Sequence, residues 1–444
     1  MERITFRKKS LNRQSDRVDR FVHTRESVSD PRRRRSLPDC QAVDGDAWIT
    51  KYKHQKSYGD SLDRAFGVEQ ESDKYVVQPW PCVPRKKSYL TPADSILDLP
   101  EYSYADSVAE ILDWSSDNIL VAALGRNYHK WSWGSQNLTG QGFAMQEIMS
   151  CKFDPRGELL MLGTDKETVE IHDNANSKCI AKSRCFCNLP QPELCAVIAV
   201  DWSPTGNSYV TGCTGGMVAS FTRTCNYISL ARHVRKPIFS VRISPDARFV
   251  AVTTINSTQV MLLSWPYLDL ISCLDFNKAY TNLVTAWHPW RSALLGIGAV
   301  TSEYETKVVM CEAPTGKVKK STLGGSKYYL DAMLFSSRTG ELVLSLFNIE
   351  RGLLHPKTSS QLVVLSNPET VVDQWCDDGR TGLDRVRTMV FSPDGTKLAT
   401  ATSDEDLIIW NFLPEDKNIK KTQLRRFSAI PVYMDQVTQG YALR

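Results

Sequence analysis

One unit recurs along this chain, and its clearest copy runs from Arg385 to Phe412, RVRTMVFSPDGTKLATATSDEDLIIWNF. A β-rich run through Val386, Met389 and Phe391 reaches the turn Ser392-Pro393-Asp394-Gly395. A second strand follows over Leu398 to Thr402, then a polar turn at Ser403-Asp404-Glu405-Asp406 and a third strand over Leu407 to Trp410. Short strands joined by tight turns make an antiparallel meander, not a βαβ unit. One such sheet cannot bury both of its faces, so the unit demands neighbours of its own kind.

The same order of strand, Ser/Asp-Pro-x-Gly-like turn, strand, polar turn and strand opens near Val108, Ile148, Val197, Ile238, Leu283 and Leu330. A spacing of roughly forty to fifty-five residues suits a four-stranded propeller blade and is too long for an ankyrin or leucine-rich unit. The fold class read from this is all-β, a seven-bladed β-propeller. The repeat resembles that of WD-repeat propellers, although the Trp-Asp pair that names them is mostly lost. Its place is expected to be held by His172-Asp173, Trp265-Pro266 and Trp410-Asn411. An unrelated antiparallel sandwich rarely repeats one turn signature so many times.

The 444 residues divide into a basic N-terminal tail over 1–90, expected to be mostly disordered, a propeller with a lead-in strand over 91–413, and a C-terminal tail over 414–444. The first forty residues carry Arg3, Arg7, Arg13, Arg17 and the run Arg32 to Arg35, with few large apolar side chains to build a core. A net charge of only +4, and blades without basic–aromatic interleaving, argue against a dedicated nucleic-acid binder. No apolar run is long enough to span a bilayer and the N-terminus is not a signal peptide, so no membrane contact and a cytoplasmic and nuclear location are expected.

The twelve cysteines are scattered and read as reduced core residues rather than as a disulfide framework. Cys179, Cys185, Cys187 and Cys195 do cluster. However, Cys185-Phe186-Cys187 has one intervening residue where zinc knuckles usually have two or more, and no histidine accompanies them at finger spacing, so no metal is expected. Gly296-x-Gly298 lacks the third glycine of a dinucleotide loop, there is no Walker lysine, and the seven histidines form no catalytic pattern. The expectation is a protein that is not an enzyme, with no cofactor and no small-molecule substrate.

Within the tail, Asp19-Arg20-Phe21-Val22-His23-Thr24-Arg25 sets an aromatic and a β-branched residue between two arginines. Such a segment suits docking into an acidic groove through two charge-assisted forks around an apolar anchor. It resembles the C-box, Asp-Arg-(Phe/Tyr)-Ile-Pro-x-Arg, of the Fizzy family, the WD-repeat activators of the anaphase-promoting ubiquitin ligase. Val22 keeps the β-branched character, while His23 replaces the proline and removes some preorganisation. The closing Leu443-Arg444 is similar to that family's terminal Ile-Arg, and Thr91 through Pro100 resembles its lead-in. Asp113-Trp114-Ser115-Ser116, Trp287-His288-Pro289-Trp290 and the final blade carry the resemblance across residues 91 to 412. The drift within the pattern is most like an insect branch of the family specialised for the germline and meiosis.

The resemblance implies an activator and substrate receptor of that ligase. Asp19, Arg20, Phe21, Val22, Arg25, Leu443 and Arg444 would dock onto core subunits of the anaphase-promoting complex, and the propeller would capture degrons of cell-cycle substrates such as cyclins. The acid that family members use for the Arg-x-x-Leu destruction box lies seven positions before the aspartate of the Asp-Trp-Ser-Ser motif, which is Asp106 here. For the Lys-Glu-Asn degron the family contacts map onto Asp113, Thr301 and Arg385; the fourth, an asparagine, falls on Ile255, with Asn256 one residue later. Ser36, after Arg33-Arg34-Arg35, suits a basophilic kinase and Thr91-Pro92 a proline-directed one, and a phosphate at either would offset the basic charge near the docking peptide. A WD-repeat scaffold for a different complex, without degron binding, is the alternative.

Overall fold

The computed structural model describes residues 80–90, 93–99, 110–187, 195–276, 283–301, 305–313, 315–326, 328–348, 360–367, 370–376, 385–403 and 405–414. Among these residues the chain forms twenty-eight strands, numbered β1 to β28 in order, gathered into seven four-stranded antiparallel sheets. The first blade opens on β2 (Leu112–Trp114), and the innermost strands of the next six are β6 (Ile148–Phe153), β10 (Val197–Trp202), β14 (Ile238–Ile243), β18 (Val284–Trp287), β22 (Tyr328–Phe335) and β26 (Val386–Phe391). Each inner strand packs on the next, and β26 packs back on β2, so the ring closes. The seven-bladed propeller expected from the repeat is the fold observed.

Burial explains why the strands read as they do. The second strand of a blade is covered on both faces by the neighbouring blades, so β7 (Leu159–Thr164), β15 (Phe249–Thr254) and β27 (Lys397–Thr402) are buried at every position. The outermost strand faces solvent, so β9 (Lys178–Arg184) is mostly exposed. The core therefore lies between blades rather than at the axis, as where Leu160 and Leu162 of the second blade join Leu120 and Val121 of the first. In six of the seven blades the turn after the inner strand holds one residue at positive φ. Gly157 and Gly395 supply it at +74° and +67°, with their N–H groups donated to Asp154 O and Ser392 O. Ala247 takes the same place in the fourth blade at +53°.

The ring is sealed by the lead-in. The four residues of β1 (Ser95–Asp98) pair antiparallel with β28 (Asp406–Asn411), Ser95 opposite Ile409 and Asp98 opposite Asp406, so the outermost strand of the last blade comes from the N-terminal side of the propeller. Without it β28 would present an open edge.

Two expectations need correction. In the final blade Trp410 pairs with Leu398, and in the second His172 pairs with Leu160, so both hold the tryptophan position of the repeat. In the fourth blade the equivalent pair is Val250 with Leu263, because β16 (Gln259–Ser264) ends before Trp265. Trp265 lies two residues beyond the position assigned to it, in the following turn, half-buried against the core there. The second correction concerns residues 80–90, expected in the tail. They form a strap laid over the propeller. Trp80 is buried with its ring edge-on to Phe335 at 5.7 Å, the Val83 N–H donates to Thr339 O at 2.7 Å, Arg85 is buried, and Leu90 joins the core around Trp410 and Phe412.

Candidate functional site

Antiparallel strands put alternate turns on opposite rims, so the start of each inner strand shares a rim with the turn joining the second and third strands of its blade. Arg385 directly precedes β26, and its carbonyl accepts from the Ser403 N–H at 2.9 Å in the second turn of the same blade. Asn256 lies in the turn between β15 and β16, and Thr301 follows β19 (Leu294–Val300). The topology thus gathers these three sequence-predicted residues, from blades four, five and seven, onto one rim.

Their surroundings differ. Asn256 is exposed and left-handed at φ +52°, and its carbonyl accepts from Lys236 Nζ at 3.0 Å. Ile255, where the family pattern has its asparagine, is half-buried with its N–H bonded to Pro237 O, so Asn256 is the residue that faces solvent at this turn. Thr301 is buried. Arg385 is held by a two-pronged ion pair: Nε lies 2.7 Å and Nη2 2.5 Å from the two carboxylate oxygens of Asp331 on β22. The guanidinium also stands over Phe347, 4.9 Å from the ring centroid, and remains a quarter exposed. This fork ties blade seven to blade six.

Asp113 sits deeper. It is 5% exposed, and its Oδ2 accepts the Phe153 N–H of the next inner strand at 2.7 Å, with Lys152 Nζ 3.6 Å from Oδ1. Burial pushes its carboxyl above the ordinary value, with Lys152 opposing. Asp201 does the same in the third blade, taking the Ile243 N–H at 2.8 Å, so an acid at this position is a tie between successive inner strands. Beside these ties, Arg242 of the fourth blade forks onto Glu110, which precedes β2 in the first; Nη1 lies 2.7 Å from Oε2 and Nη2 meets Oε1. That pair spans the ring between inner strands that are not neighbours. Asp331, Lys152, Glu110 and Arg242 were not singled out from the sequence, where each is one charge among many with no local pattern to mark it.

Asp106, Ser36, Thr91, the docking residues Asp19, Arg20, Phe21, Val22 and Arg25, and the terminal Leu443 and Arg444 lie outside the described residues. The sequence cluster of cysteines is redistributed. Cys185, Cys187 and Cys195 come together with Cys213, while Cys179 stands beside Glu170 and His172.

Comparison with known proteins adds four findings. A model of the family "WD domain, G-beta repeat" matches residues 378–411, the blade with the clearest repeat. Protein cortex of Heliconius erato is 57% identical over 453 residues, a match that covers 100% of this chain and 100% of that relative. More distantly, "Cell division cycle 20.5, cofactor of APC complex" of Arabidopsis thaliana is 23% identical over 456 residues, covering 95% of this chain and 94% of the relative. Among solved structures, a chain of the mitotic checkpoint complex is similar in fold, with a TM-score of 0.61 at 19% identity over 78% of this chain and 100% of that one.

Proposed function

The chain belongs to the insect cortex branch of the Fizzy family of WD-repeat proteins, and from that premise we propose that it is an activator and substrate-receptor subunit of the anaphase-promoting complex. The observation that carries the reading is the length of the match: it covers 100% of this chain and 100% of the relative, tails as well as propeller, so the likeness is not merely one of common fold. In this reading Asp19 to Arg25 and Leu443-Arg444 dock onto core subunits of the ligase. The propeller holds degrons of cell-cycle, and in particular meiotic, regulators at the rim. The protein then acts by proximity rather than chemistry, raising the effective concentration of substrate near the ubiquitin donor. Phosphate at Ser36 or Thr91 weakens the docking by offsetting its positive charge.

At the rim, Arg385 offers its positive charge to the glutamate of a Lys-Glu-Asn degron, in competition with Asp331, and Asn256 an exposed side chain. Asp113 and Thr301, the acid and the hydroxyl of the same assignment, are buried. Asp106 is the proposed acid for the destruction-box arginine. The test is co-purification of the intact chain with the ligase core. The wild type is retained, while the Arg20→Ala/Arg25→Ala double variant, with its propeller intact, is lost; equal retention of both removes the docking assignment. One observation favours a scaffold without degron binding, namely that Arg385 and Asp113 already have protein partners. Titration with Lys-Glu-Asn and Arg-x-x-Leu peptides separates the two, because a pure scaffold binds neither.

A further inference from the structure

Four cysteines from three separate stretches of chain meet at the seam between the second and third blades. Cys185 and Cys187 follow β9, the outermost strand of blade two. Cys195 precedes β10, the innermost strand of blade three, and Cys213 ends β11 (Ser208–Cys213), its second strand. Their four sulfurs all lie within 4.8 Å of one another. A tetrahedral thiolate shell with Zn–S of about 2.3 Å has sulfur–sulfur edges of about 3.8 Å, so closure needs only small side-chain adjustments. Cysteines used as small apolar filler have no reason to converge sulfur to sulfur, and none of the four is in a disulfide.

The setting suits bound thiolates. Cys187, Cys195 and Cys213 are buried, with Met217 and Leu230 closing over them, so water has little access. Cys213 opens a tight turn that its own backbone closes: the Gly216 N–H donates to Cys213 O at 3.1 Å and the Cys213 N–H to Met217 O at 3.0 Å, which fixes the point from which its sulfur projects. That turn passes through Gly216 at φ +76°, where an added Cβ would come within 2.5 Å of Val234 O and 2.8 Å of Lys236 O. The backbone of Val234 to Lys236 therefore crosses directly over this turn.

We propose that Cys185, Cys187, Cys195 and Cys213 bind one zinc ion in a closed tetrathiolate site that clasps the second blade to the third. Soft sulfur donors in a four-coordinate set select zinc over hard cations, and a site with all four positions filled by protein is structural, not catalytic. On binding, each thiol gives its proton to solvent as its sulfur joins the metal. The one-residue spacing of Cys185 and Cys187 is accommodated because Cys213, about twenty-five residues on in sequence, completes the shell that a local knuckle would otherwise have to supply.

The test uses the full chain purified under reducing conditions from zinc-replete cells, with metal measured by inductively coupled plasma mass spectrometry. Zinc at about one per chain is expected. Cys179→Ser keeps it, and Cys187→Ser/Cys213→Ser loses it. Because the double variant can fail to fold, the wild type is also stripped and reloaded with cobalt(II). The intense visible bands of tetrahedral cobalt, with a thiolate-to-metal charge-transfer band in the near ultraviolet, support the site. A folded wild type that carries no zinc and takes up no cobalt overturns the proposal, as does a disulfide among the four found by non-reducing peptide mapping. Metal content is read without the ligase, so this result is independent of the docking and degron assignments.

Discussion

Arg85 and Glu341 meet with no solvent on either side chain. Nη2 lies 2.9 Å from Oε2, Nε 3.1 Å from the same oxygen, and the Arg85 N–H donates to Oε1 at 2.7 Å. The other arm of the guanidinium reaches Asp373 at 2.7 Å, and the ring of Phe412 stacks beneath it, 4.1 Å from Cζ to centroid. One cation so placed pins the strap to the turn before the second strand of blade six, to that blade's outermost strand and to the end of blade seven.

Removing that cation leaves two buried carboxylates facing each other. Arg85→Met is expected to destabilise the propeller by about 3–5 kcal/mol, the usual result of breaking a buried ion pair from one side. Denaturant unfolding at neutral pH measures it. Adding Glu341→Gln and Asp373→Asn to the same chain should restore part of the loss.

Acid should release the strap. Burial raises the Asp373 carboxyl, but the Ser88 hydroxyl, the Tyr89 and Leu90 N–H groups and Arg85 outweigh it and hold the group below its ordinary 3.8. A depressed native value contributes stability that is fully present above the unfolded pKa of about 4 and is lost as pH falls through the native one. Trp80 fluorescence, followed downward from pH 5, should report the loosening, and Asp373→Asn should flatten that part of the curve. An unchanged curve in the variant assigns the transition to other carboxylates.

At the rim, Asp331 competes for the cation that a degron glutamate would use. Arg385→Ala is expected to weaken a Lys-Glu-Asn peptide by about tenfold or more, the worth of a charge-assisted hydrogen bond. Asp331→Asn keeps the guanidinium and removes its rival, so it should bind the peptide at least as tightly as wild type. Calorimetric titration, with circular dichroism to confirm folding, distinguishes these; equal affinity for all three proteins dissociates Arg385 from this degron.

Asp113 should behave as a tie between strands. Asp113→Asn keeps an acceptor for the Phe153 N–H and is expected to change stability by under about 1 kcal/mol, whereas Asp113→Ala strands that buried donor and costs about 1–3 kcal/mol. Thermal or denaturant unfolding of the two variants decides it. Equal losses would mean that the Lys152 ion pair, not the hydrogen bond, carries the contribution.

The blades were legible because their signals are local. A turn such as Ser392 to Gly395 announces itself within four residues, and a second strand buried on both faces reads as an apolar run. Trp265 misled because an aromatic just past a strand's end mimics one at its last position, and only register distinguishes Leu263 from it. Arg85 looked like another charge in a basic tail, since nothing near it in sequence reveals that Glu341 and Asp373 wait on blade six. Of the rim, Arg385 and Asn256 could be located from blade pattern, but the partner Asp331 lies on a different blade. Cys213 joins three cysteines in space through a contact between the second and third blades that spacing cannot express. Local chemistry reads out directly; contacts between blades do not.

The pairing of β1 with β28 also sets an order of events during synthesis. β1 leaves the ribosome before any blade is complete, and its partner follows roughly three hundred residues later. At roughly 5–20 residues per second, that is on the order of fifteen seconds to a minute in which Ile96 and Leu97 have no sheet to join. The last blade is where the growing chain pairs a strand with its own beginning, so this slow, non-local step of folding falls at the end of translation. A nascent chain arrested before β28 would carry six finished blades and a free strand, a species with an open edge that is a natural substrate for chaperones.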